Sequence, residues 1–151
     1  MAERLFPVFE FQSMEEKEDN SKVYVDEYFW PGPLFDFEAG DFARNGANQV
    51  ISVDGYDEYT IWVMKCMRTQ LGACTSYPDF GIDINGSLDE ESHDAVEAAL
   101  TKTIIEGLKR NPRTERVHSF NFTFKGDSID LFFIVEPKNL PAFEMNMSIV
   151  Q

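Results

Sequence analysis

Residues 116–136 predict a long antiparallel β-hairpin, and a chain with such a hairpin has to build a sheet with one covered face. The first strand alternates strictly, with four residues on one side: His118, Phe120, Phe122 and Phe124. Lys125-Gly126-Asp127 supplies a turn, and the apolar run 129–135 returns as the second strand. Because an isolated hairpin is at best marginally stable in water, another element must cover its apolar side.

The helix before the hairpin is predicted to be that covering element. Ser87 is followed three residues later by Glu90, a capping-box pattern that marks a helix N-terminus. Four apolar residues then recur at every fourth position: Val96, Leu100, Ile104 and Leu108. The helix should end near Arg110, because Pro112 disfavours a helical conformation in the residue before it.

An earlier helix is predicted from about Tyr56 to Leu71, with Asp54 as its N-cap. Its apolar residues follow the spacing of one buried stripe: Tyr59, Trp62, Val63, Cys66 and Met67. Two short strands, 34–38 and 49–53, precede this helix, with a turn at Ala39-Gly40-Asp41 and a loop rich in Asn45-Gly46 between them.

These elements predict an α+β fold, in which a small antiparallel or mixed sheet packs against two main helices. We expect residues 1–33 to form an extended acidic N-terminal arm and residues 34–137 to form the main domain. Residues 138–151 form a C-terminal extension, in which 143–150 is predicted to be one more strand. That strand either completes the domain's own sheet or offers an unpaired edge to a neighbouring chain.

The charge of the chain disfavours nucleic acid and anionic membranes as partners. Thirteen Lys and Arg against twenty-seven Asp and Glu leave a formal net charge of -14, whereas binding a polyphosphate requires an excess of cations. The sequence has no apolar run long enough to span a membrane, and no basic segment leads into an apolar one at the N-terminus. We expect a soluble protein that stays in the cytoplasm where it is made and binds other proteins.

Few residues suggest catalysis or metal binding. His93 lies among acidic residues in the predicted second helix and favours a solvated polar face. His118 shares a strand face with phenylalanines and favours a packed side chain. Cys66 is interpreted as a core residue and Cys74 has no assigned role, so neither a closed zinc site nor a cofactor is expected.

An acid pair is the alternative that would make the protein an enzyme. Asp79, Asp83 and Asp89 fall in a loop that could border a cleft, and two carboxylates are enough for a cell-wall hydrolase of the lysozyme type. A general acid with a raised pKa also needs an apolar pocket, for which the sequence gives no signal. A non-enzymatic protein is therefore the main hypothesis, with a lysozyme-like hydrolase as the alternative.

Two segments are candidates for contact with other proteins. The N-terminal arm has an acidic excess but carries five apolar residues: Leu5, Phe6, Val8, Phe9 and Phe11. These either dock on a neighbour or touch the arm's own domain. A basic cluster follows the second helix: Lys109, Arg110, Arg113 and Arg116. Arg113 lies on a loop constrained by Pro112 and suits bidentate pairing with a carboxylate, either of a partner or within the domain.

Five ordered motifs resemble a known family. They are Phe35-Asp36-Phe37-Glu38-Ala39-Gly40-Asp41, Val53-Asp54-Gly55-Tyr56-Asp57-Glu58 before a helix with Trp62, Arg68-Thr69-Gln70-Leu71-Gly72-Ala73, Tyr77-Pro78-Asp79-Phe80-Gly81-Ile82-Asp83 and Asn111-Pro112-Arg113. The set resembles the baseplate wedge and sheath-initiator family of contractile phage tails over about residues 34–136. The similarity is to the XkdS-like branch, and TssE of type VI secretion is a more distant relative. Asn111 departs from the family, in which Glu usually precedes Pro-Arg, so the role of that acid does not carry over.

The resemblance implies a structural protein of the virion, located in the tail baseplate, assembled in the host cytoplasm and present in six copies under the usual symmetry. It implies contact with baseplate wedge proteins and with the tail sheath protein, and tail tube or hub proteins are further candidates. Seven residues are candidates for partner binding: Pro112, Arg113, Arg116, Phe143, Met145, Met147 and Ile149.

Overall fold

Three helices and eight strands form a mixed α+β fold in residues 9–13 and 31–150, the part of the chain described by a computed structural model. In chain order these are β1 (Phe9–Ser13), β2 (Gly32–Pro33), β3 (Phe35–Asp36), β4 (Asp41–Phe42), β5 (Ser52–Val53), α1 (Gly55–Arg68), α2 (Ile84–Leu88), α3 (His93–Lys109), β6 (Thr114–Lys125), β7 (Ser128–Pro137) and β8 (Phe143–Val150). The fold class predicted from the sequence is confirmed. The chain divides into two units, 17–65 and a larger unit that combines 1–16 with 66–151.

The smaller unit contains two short antiparallel strand pairs, β2 with β5 and β3 with β4. The turn between β3 and β4 is closed by the Asp36 carboxylate, which accepts hydrogen bonds from the backbone N–H groups of Glu38 and Ala39. Gly40 completes the turn with a φ of 71°, a left-handed conformation that glycine adopts without a Cβ clash. The predicted strands 34–38 and 49–53 are shorter in the structure, where they correspond to β3 and β5. Strand β4 lies between these two in the chain and was not predicted.

Helix α1 begins where the sequence predicts and ends three residues earlier than predicted. The Asp54 carboxylate accepts a hydrogen bond from the Asp57 backbone N–H at 3.1 Å, which confirms the N-cap. After Arg68 the backbone leaves the helix because Gln70 forms a parallel bridge with Ile82. The backbone of residues 69–71 therefore forms hydrogen bonds with Ile82 instead of continuing the helix.

The larger unit is built on a four-stranded antiparallel sheet in the order β1-β8-β7-β6. The predicted hairpin of β6 and β7 is confirmed, and its Lys125↔Ser128 register leaves a two-residue connection that includes Gly126 with a φ of 55°. Strand β8 pairs with β7 along its whole length and, on its other side, with β1. The arm thus contributes a strand to the sheet of its own chain.

The hydrophobic core of this unit lies between α3 and one face of the sheet. The four residues predicted as the helix stripe, Val96, Leu100, Ile104 and Leu108, are all buried. Alternate residues of β7 and β8 face them and are buried as well: Ile129, Leu131, Phe133, Val135, Phe143, Met145, Met147 and Ile149. Period-2 burial on the strands and period-3.6 burial on the helix are what a two-layer α+β core requires.

The prediction that the second helix begins at Ser87 was wrong. Ser87 is buried inside the short helix α2, where its hydroxyl donates to the Asp83 carbonyl at 2.7 Å instead of capping a longer helix. The N-cap of α3 is Ser92, whose hydroxyl oxygen accepts from the Ala95 backbone N–H at 3.2 Å. The predicted end at Arg110 is confirmed as the C-cap.

The strict alternation predicted for β6 was also wrong, because the strand contains a β-bulge. Ser119 has a φ of 61°, and between the pairs His118↔Ile134 and Asn121↔Phe132 strand β6 contains one residue more than β7. Phe122 and Phe124 lie opposite the buried Leu131 and Ile129. His118 consequently lies on the other face of the sheet from the phenylalanines with which it was grouped.

A short segment connects α1 to α2 through backbone hydrogen bonds. The N–H of Ile82 donates to the Thr69 carbonyl at 3.0 Å, and the N–H of Leu71 donates to the Ile82 carbonyl at 3.0 Å. The Gln70 side-chain amide donates to the Asp83 carboxylate at 2.6 Å. Two motifs that are separate in the sequence, 68–73 and 77–83, are therefore one hydrogen-bonded unit.

Candidate functional site

The loop after α3 holds Arg113 through the side chain of Asn111. The Asn111 Oδ1 atom accepts two hydrogen bonds, from the Arg113 backbone N–H at 3.0 Å and from Arg113 Nε at 3.2 Å. Asn111 is only 9% exposed, and an amide oxygen has lone pairs for both donors. Where the family usually has Glu, the amide of Asn111 thus supplies an acceptor for the arginine.

The same loop is anchored to its surroundings on both sides. The buried Thr114 hydroxyl donates to the Leu108 carbonyl at 2.7 Å, which satisfies a carbonyl in the last turn of α3. The Arg113 carbonyl accepts from the Lys138 backbone N–H at 2.9 Å, at the end of β7. Hydrogen bonds from Arg113 to Asn111 and from Lys138 to Arg113 hold this loop, and Arg113 is half-buried while Pro112 is exposed.

Next to this loop, Arg116 forms a bidentate ion pair with Glu136 on the neighbouring strand. Both hydrogen bonds, from Nε and from Nη2 to the two carboxylate oxygens, measure 3.0 Å. His118 Nε2 lies 2.7 Å from Oε1 of the same carboxylate. The hydrogen bonds from Arg116 and then from His118 lower the pKa of Glu136 to about 2. The Arg116 guanidinium therefore already has a carboxylate partner within its own domain.

Acid titration should reveal the Glu136 pair. Its pKa is lower in the folded protein than the ordinary 4.5, so its stabilising contribution is present above pH 4.5 and is lost as pH falls toward about 2. We expect Glu136→Gln to be less stable than the parent at pH 7, and this difference should shrink over that window. Urea unfolding at several pH values measures it, with Glu106→Gln on the exposed surface of α3 as the control. Parallel pH profiles of the parent and Glu136→Gln would contradict the assignment.

The basic cluster predicted after α3 is brought together at one end of the larger unit. Lys109, Arg110, Pro112, Arg116 and Lys138 are exposed there, at the end of α3 and beside the ends of β6 and β7. Arg110 has an additional contact, because its Nη1 donates to the Asp79 carbonyl at 2.7 Å. This guanidinium thus connects the end of α3 to the loop before α2, a role beyond the helix-end stabilisation predicted for it.

The C-terminal strand completes the sheet of its own domain, one of the two alternatives predicted from the sequence. Its four candidate residues, Phe143, Met145, Met147 and Ile149, are each no more than 4% exposed. Over Phe143–Met147 both backbone edges of β8 are paired, with β7 and with β1. Neither these side chains nor the paired backbone of Phe143–Met147 is open to a partner in this structure.

The N-terminal arm touches its own domain through β1, the second of the two alternatives given for it. Phe9 and Phe11 lie within β1, opposite Met147 and Met145 in the register. The other apolar residues predicted to dock, Leu5, Phe6 and Val8, lie outside the described residues.

A family comparison decides the class of protein. Residues 33–138 match the model of the contractile injection system sheath initiator. The chain belongs to the sheath-initiator family. A search of curated proteins gives no match. The family resemblance predicted from the ordered motifs is confirmed, and membership makes the chain a structural component of a contractile injection system.

Two residues that were considered for chemistry, Asp83 and His93, have structural contacts in this sheath initiator. The Asp83 carboxylate caps α2 by accepting from the Gly86 N–H at 3.0 Å, in addition to its bond from Gln70. The His93 ring stacks on Phe124 with centroids 4.0 Å apart, a contact that sequence reasoning missed because the two residues belong to different elements. The family itself is one of structural proteins rather than of enzymes.

Cys66 of the sheath initiator belongs to the hydrophobic core. Cys66 is 1% exposed, as predicted for a core residue, and burial raises the pKa of its thiol to about 11. Residues 9–13 and 31–150 contain no group of three or more His, Cys, Asp or Glu side chains arranged to hold a metal ion. Among the helices of that region, none is both long and apolar enough to cross a bilayer.

Proposed function

We propose that this sheath initiator is a non-enzymatic adaptor in the tail baseplate of a phage, between the inner wedge proteins and the first ring of sheath subunits. The family match over residues 33–138 is the observation that carries the proposal, because it covers α3, the loop at Arg113 and the β6–β7 hairpin. In this proposal residues 1–33 are an arm, 34–137 are the wedge-binding domain, and 138–151 are the extension that supports the sheath contact.

The wedge contact is assigned to the basic end of the larger unit, with Pro112, Arg113 and Arg116 as its residues. This end is locally positive in a chain of net charge -14, so it can attract an acidic surface that the rest of the protein repels. Asn111 and the Lys138 N–H hold the backbone of Arg113 in place. A loop held in this way loses little conformational freedom when a partner binds.

The sheath contact is assigned to the four-stranded sheet and particularly to β8. A strand added to a sheet gains backbone hydrogen bonds that depend little on sequence. In this role Phe143, Met145, Met147 and Ile149 support the contact indirectly, because their buried side chains hold β8 in the sheet. We further propose six copies in the virion, assembled in the host cytoplasm, with tail tube or hub proteins as further neighbours.

Removal of the Arg113 side chain should weaken wedge binding while the domain stays folded. In Arg113→Ala the hydrogen bond from Nε to Asn111 Oδ1 is lost, but the backbone N–H of residue 113 still donates to the same oxygen. The loop therefore keeps one of these two hydrogen bonds. A desolvated arginine contact at an interface is worth about 2 kcal/mol, or roughly thirty-fold in Kd. Binding to purified wedge proteins by calorimetry, with thermal unfolding of the isolated variant, measures both quantities.

Two further variants control for charge and for position. Lys109→Ala removes an exposed cation from the same end of the unit and should change Kd by much less. Arg113→Lys keeps the charge but not the planar fork, so it should bind nearly as poorly as Arg113→Ala if the partner group is a carboxylate. Unfolding of Arg113→Ala on its own would assign the residue a structural role instead.

The adaptor function itself is tested by reconstitution. Purified wedge assemblies mixed with sheath protein should form sheath only when this protein is added, and electron microscopy should show a sheath that begins at the wedge. The hydrolase alternative is tested by a peptidoglycan zymogram with Asp79→Asn and Asp83→Asn, since Asn at residue 83 preserves the helix cap. Clearing by the parent that these changes abolish would overturn the non-enzymatic proposal.

A further inference from the structure

Tyr77 is an aromatic residue that the fold leaves at the surface. It is 72% exposed, the largest exposed fraction among the large hydrophobic residues that the structure describes. Over residues 9–13 and 31–150, its phenol makes no hydrogen bond and its ring stacks on no other ring. A single exposed hydrophobic residue is common on protein surfaces, so the exposure of Tyr77 acquires meaning only from the backbone that carries it.

That backbone is a closed turn, residues 77–80, which we call the Tyr77 turn. The Phe80 N–H donates to the Tyr77 carbonyl at 3.0 Å, and the Tyr77 N–H donates to the Cys74 carbonyl at 3.2 Å. Pro78 is the second residue of the turn, the position at which its fixed φ is most favourable. The Cα of Tyr77 is therefore held in place before any partner binds.

Arg110 connects the Tyr77 turn to the basic end of the larger unit. Its Nη1 donates to the Asp79 carbonyl at 2.7 Å and to the Gly81 carbonyl at 3.4 Å. Arg110 is also the C-cap of α3, three residues before Arg113. The turn that carries Tyr77 and the loop that carries Arg113 therefore lie at the same end of α3, with one guanidinium bonded to the first and continuous in the chain with the second.

The charge at this end specifies the chemistry of a partner. The cations there include Lys109, Arg110 and Arg113, and the exposed acids beside them are Asp79 and Glu115. A complementary surface carries carboxylates opposite the cations. An exposed aromatic ring is bound best by an apolar pocket, and Tyr and Arg are the residue types most enriched at the centres of interfaces. The matching partner is thus an acidic surface with an apolar pocket.

We propose that Tyr77 is the aromatic anchor of the wedge contact. Its ring enters an apolar pocket on an acidic surface of a wedge protein, its hydroxyl donates to an acceptor inside that pocket, and Arg113 pairs with a carboxylate at the rim. This inference rests on the proposed function, in which the basic end binds the wedge, and it adds a residue and a pocket to that contact.

Two physical features suit Tyr77 for this role. A tyrosine has only two side-chain torsions, so it buries a large area on binding at a small cost in conformational entropy. The hydrogen bonds of the Tyr77 turn and of Arg110 already fix its backbone, so little further order is lost on association. An exposed ring on a flexible loop would lack the second advantage.

Tyr77→Ala in the full-length protein should weaken binding to purified wedge proteins by about thirty-fold in Kd, the effect of losing one interface anchor. Its thermal unfolding midpoint should equal that of the parent, because an exposed side chain contributes little to folding. The matched control is Val50→Ala, which truncates another exposed hydrophobic residue, 42% exposed, in the smaller unit. Calorimetry should give this control the parent Kd. Equal wedge affinities for Tyr77→Ala and Val50→Ala would overturn the inference.

Tyr77→Phe separates the ring from the hydroxyl. The variant keeps the apolar ring and loses one hydrogen bond, so its Kd should rise by roughly two- to ten-fold. It should therefore bind more tightly than Tyr77→Ala. If Tyr77→Phe binds as weakly as Tyr77→Ala, the ring does not supply the binding energy and the anchor assignment is wrong.

Nitration by tetranitromethane, followed by mass spectrometry, reports whether the ring itself is covered. In the free protein Tyr77 should react as fast as N-acetyltyrosinamide, and in the wedge complex it should react only through the unbound fraction. Tyr59, which is fully buried, should stay unmodified and so verifies an intact fold. Unchanged reactivity of Tyr77 in the complex would contradict the inference, and so would protection in the free protein, since the chain itself would then cover the ring.

The parent protein and Arg113→Ala distinguish the failure of this inference from the failure of the proposed function. If the parent does not bind wedge proteins, the proposed wedge contact has failed and the role of Tyr77 fails with it. If the parent binds and Arg113→Ala binds more weakly, whereas Tyr77→Ala binds like the parent, the wedge contact stands and only the anchor is wrong.

Discussion

Replacement of Gly81 by alanine is expected to destabilise the larger unit by at least about 3 kcal/mol. Gly81 has a φ of 105°, and a Cβ at this residue would lie 2.4 Å from the Thr69 carbonyl oxygen. That carbonyl is the acceptor for the Ile82 N–H, so it cannot move away without breaking the link between the two family motifs. Urea unfolding of the parent and of Gly81→Ala, followed by circular dichroism, measures the difference.

Gly126→Ala separates the cost of the backbone conformation from the cost of the clash. Gly126 also has a positive φ, of 55°, but no atom lies within 4 Å of a Cβ built there. Its alanine variant should lose only about 1 kcal/mol, the usual penalty of a left-handed residue. If the two variants are equally stable, the close approach of Gly81 to Thr69 does not determine the fold of this segment.

Replacement of Phe133 by alanine should be the most damaging truncation in the core of the sheet. Its side chain is fully buried, and its ring stacks on Phe120 with centroids 5.3 Å apart. Truncation of a buried Phe removes its transfer free energy and leaves a cavity, which together cost about 3–5 kcal/mol. The midpoint of urea unfolding should fall accordingly, and the sheath-initiation activity of the variant should be lost at temperatures where it unfolds.

The neighbouring residue provides the matched control. Phe132 belongs to the same strand and is the same residue type, but it lies on the opposite face of the sheet and is only half-buried. Phe132→Ala should therefore cost less than about 2 kcal/mol, because less apolar area is removed from a protein interior. A larger loss for Phe132→Ala than for Phe133→Ala would mean that the core lies on the other face.

The elements that depend on local signals were predicted well. The Asp54 cap, the stripe of α3 and the Lys125-Gly126-Asp127 turn each involve residues within a few positions of one another. Hydrogen bonds and burial at such short separations follow directly from residue type and spacing. The ordered motifs also identified the family, because their order along the chain does not require knowledge of their contacts.

The candidate site was predicted only in part. The sequence located Arg113 on a constrained loop, but it did not show that Asn111 accepts both hydrogen bonds from this arginine. It placed Arg116 among the basic residues without indicating Glu136 as its partner, since the two are brought together by the register of the hairpin. The polar pairs of this surface are set by strand pairing, which no local pattern encodes.

The sequence by itself determined the α+β class, the helix stripe, the hairpin and the membership of the sheath-initiator family. Only the tertiary structure decided that the β-bulge at Ser119 moves His118 to the other face, that Ser92 rather than Ser87 caps α3, and that β1 covers β8. The physical reason is the range of the interactions involved. Periodicity and capping act within one or two turns of chain, whereas bulges, cap selection and strand order follow from hydrogen bonds and packing between segments far apart in sequence.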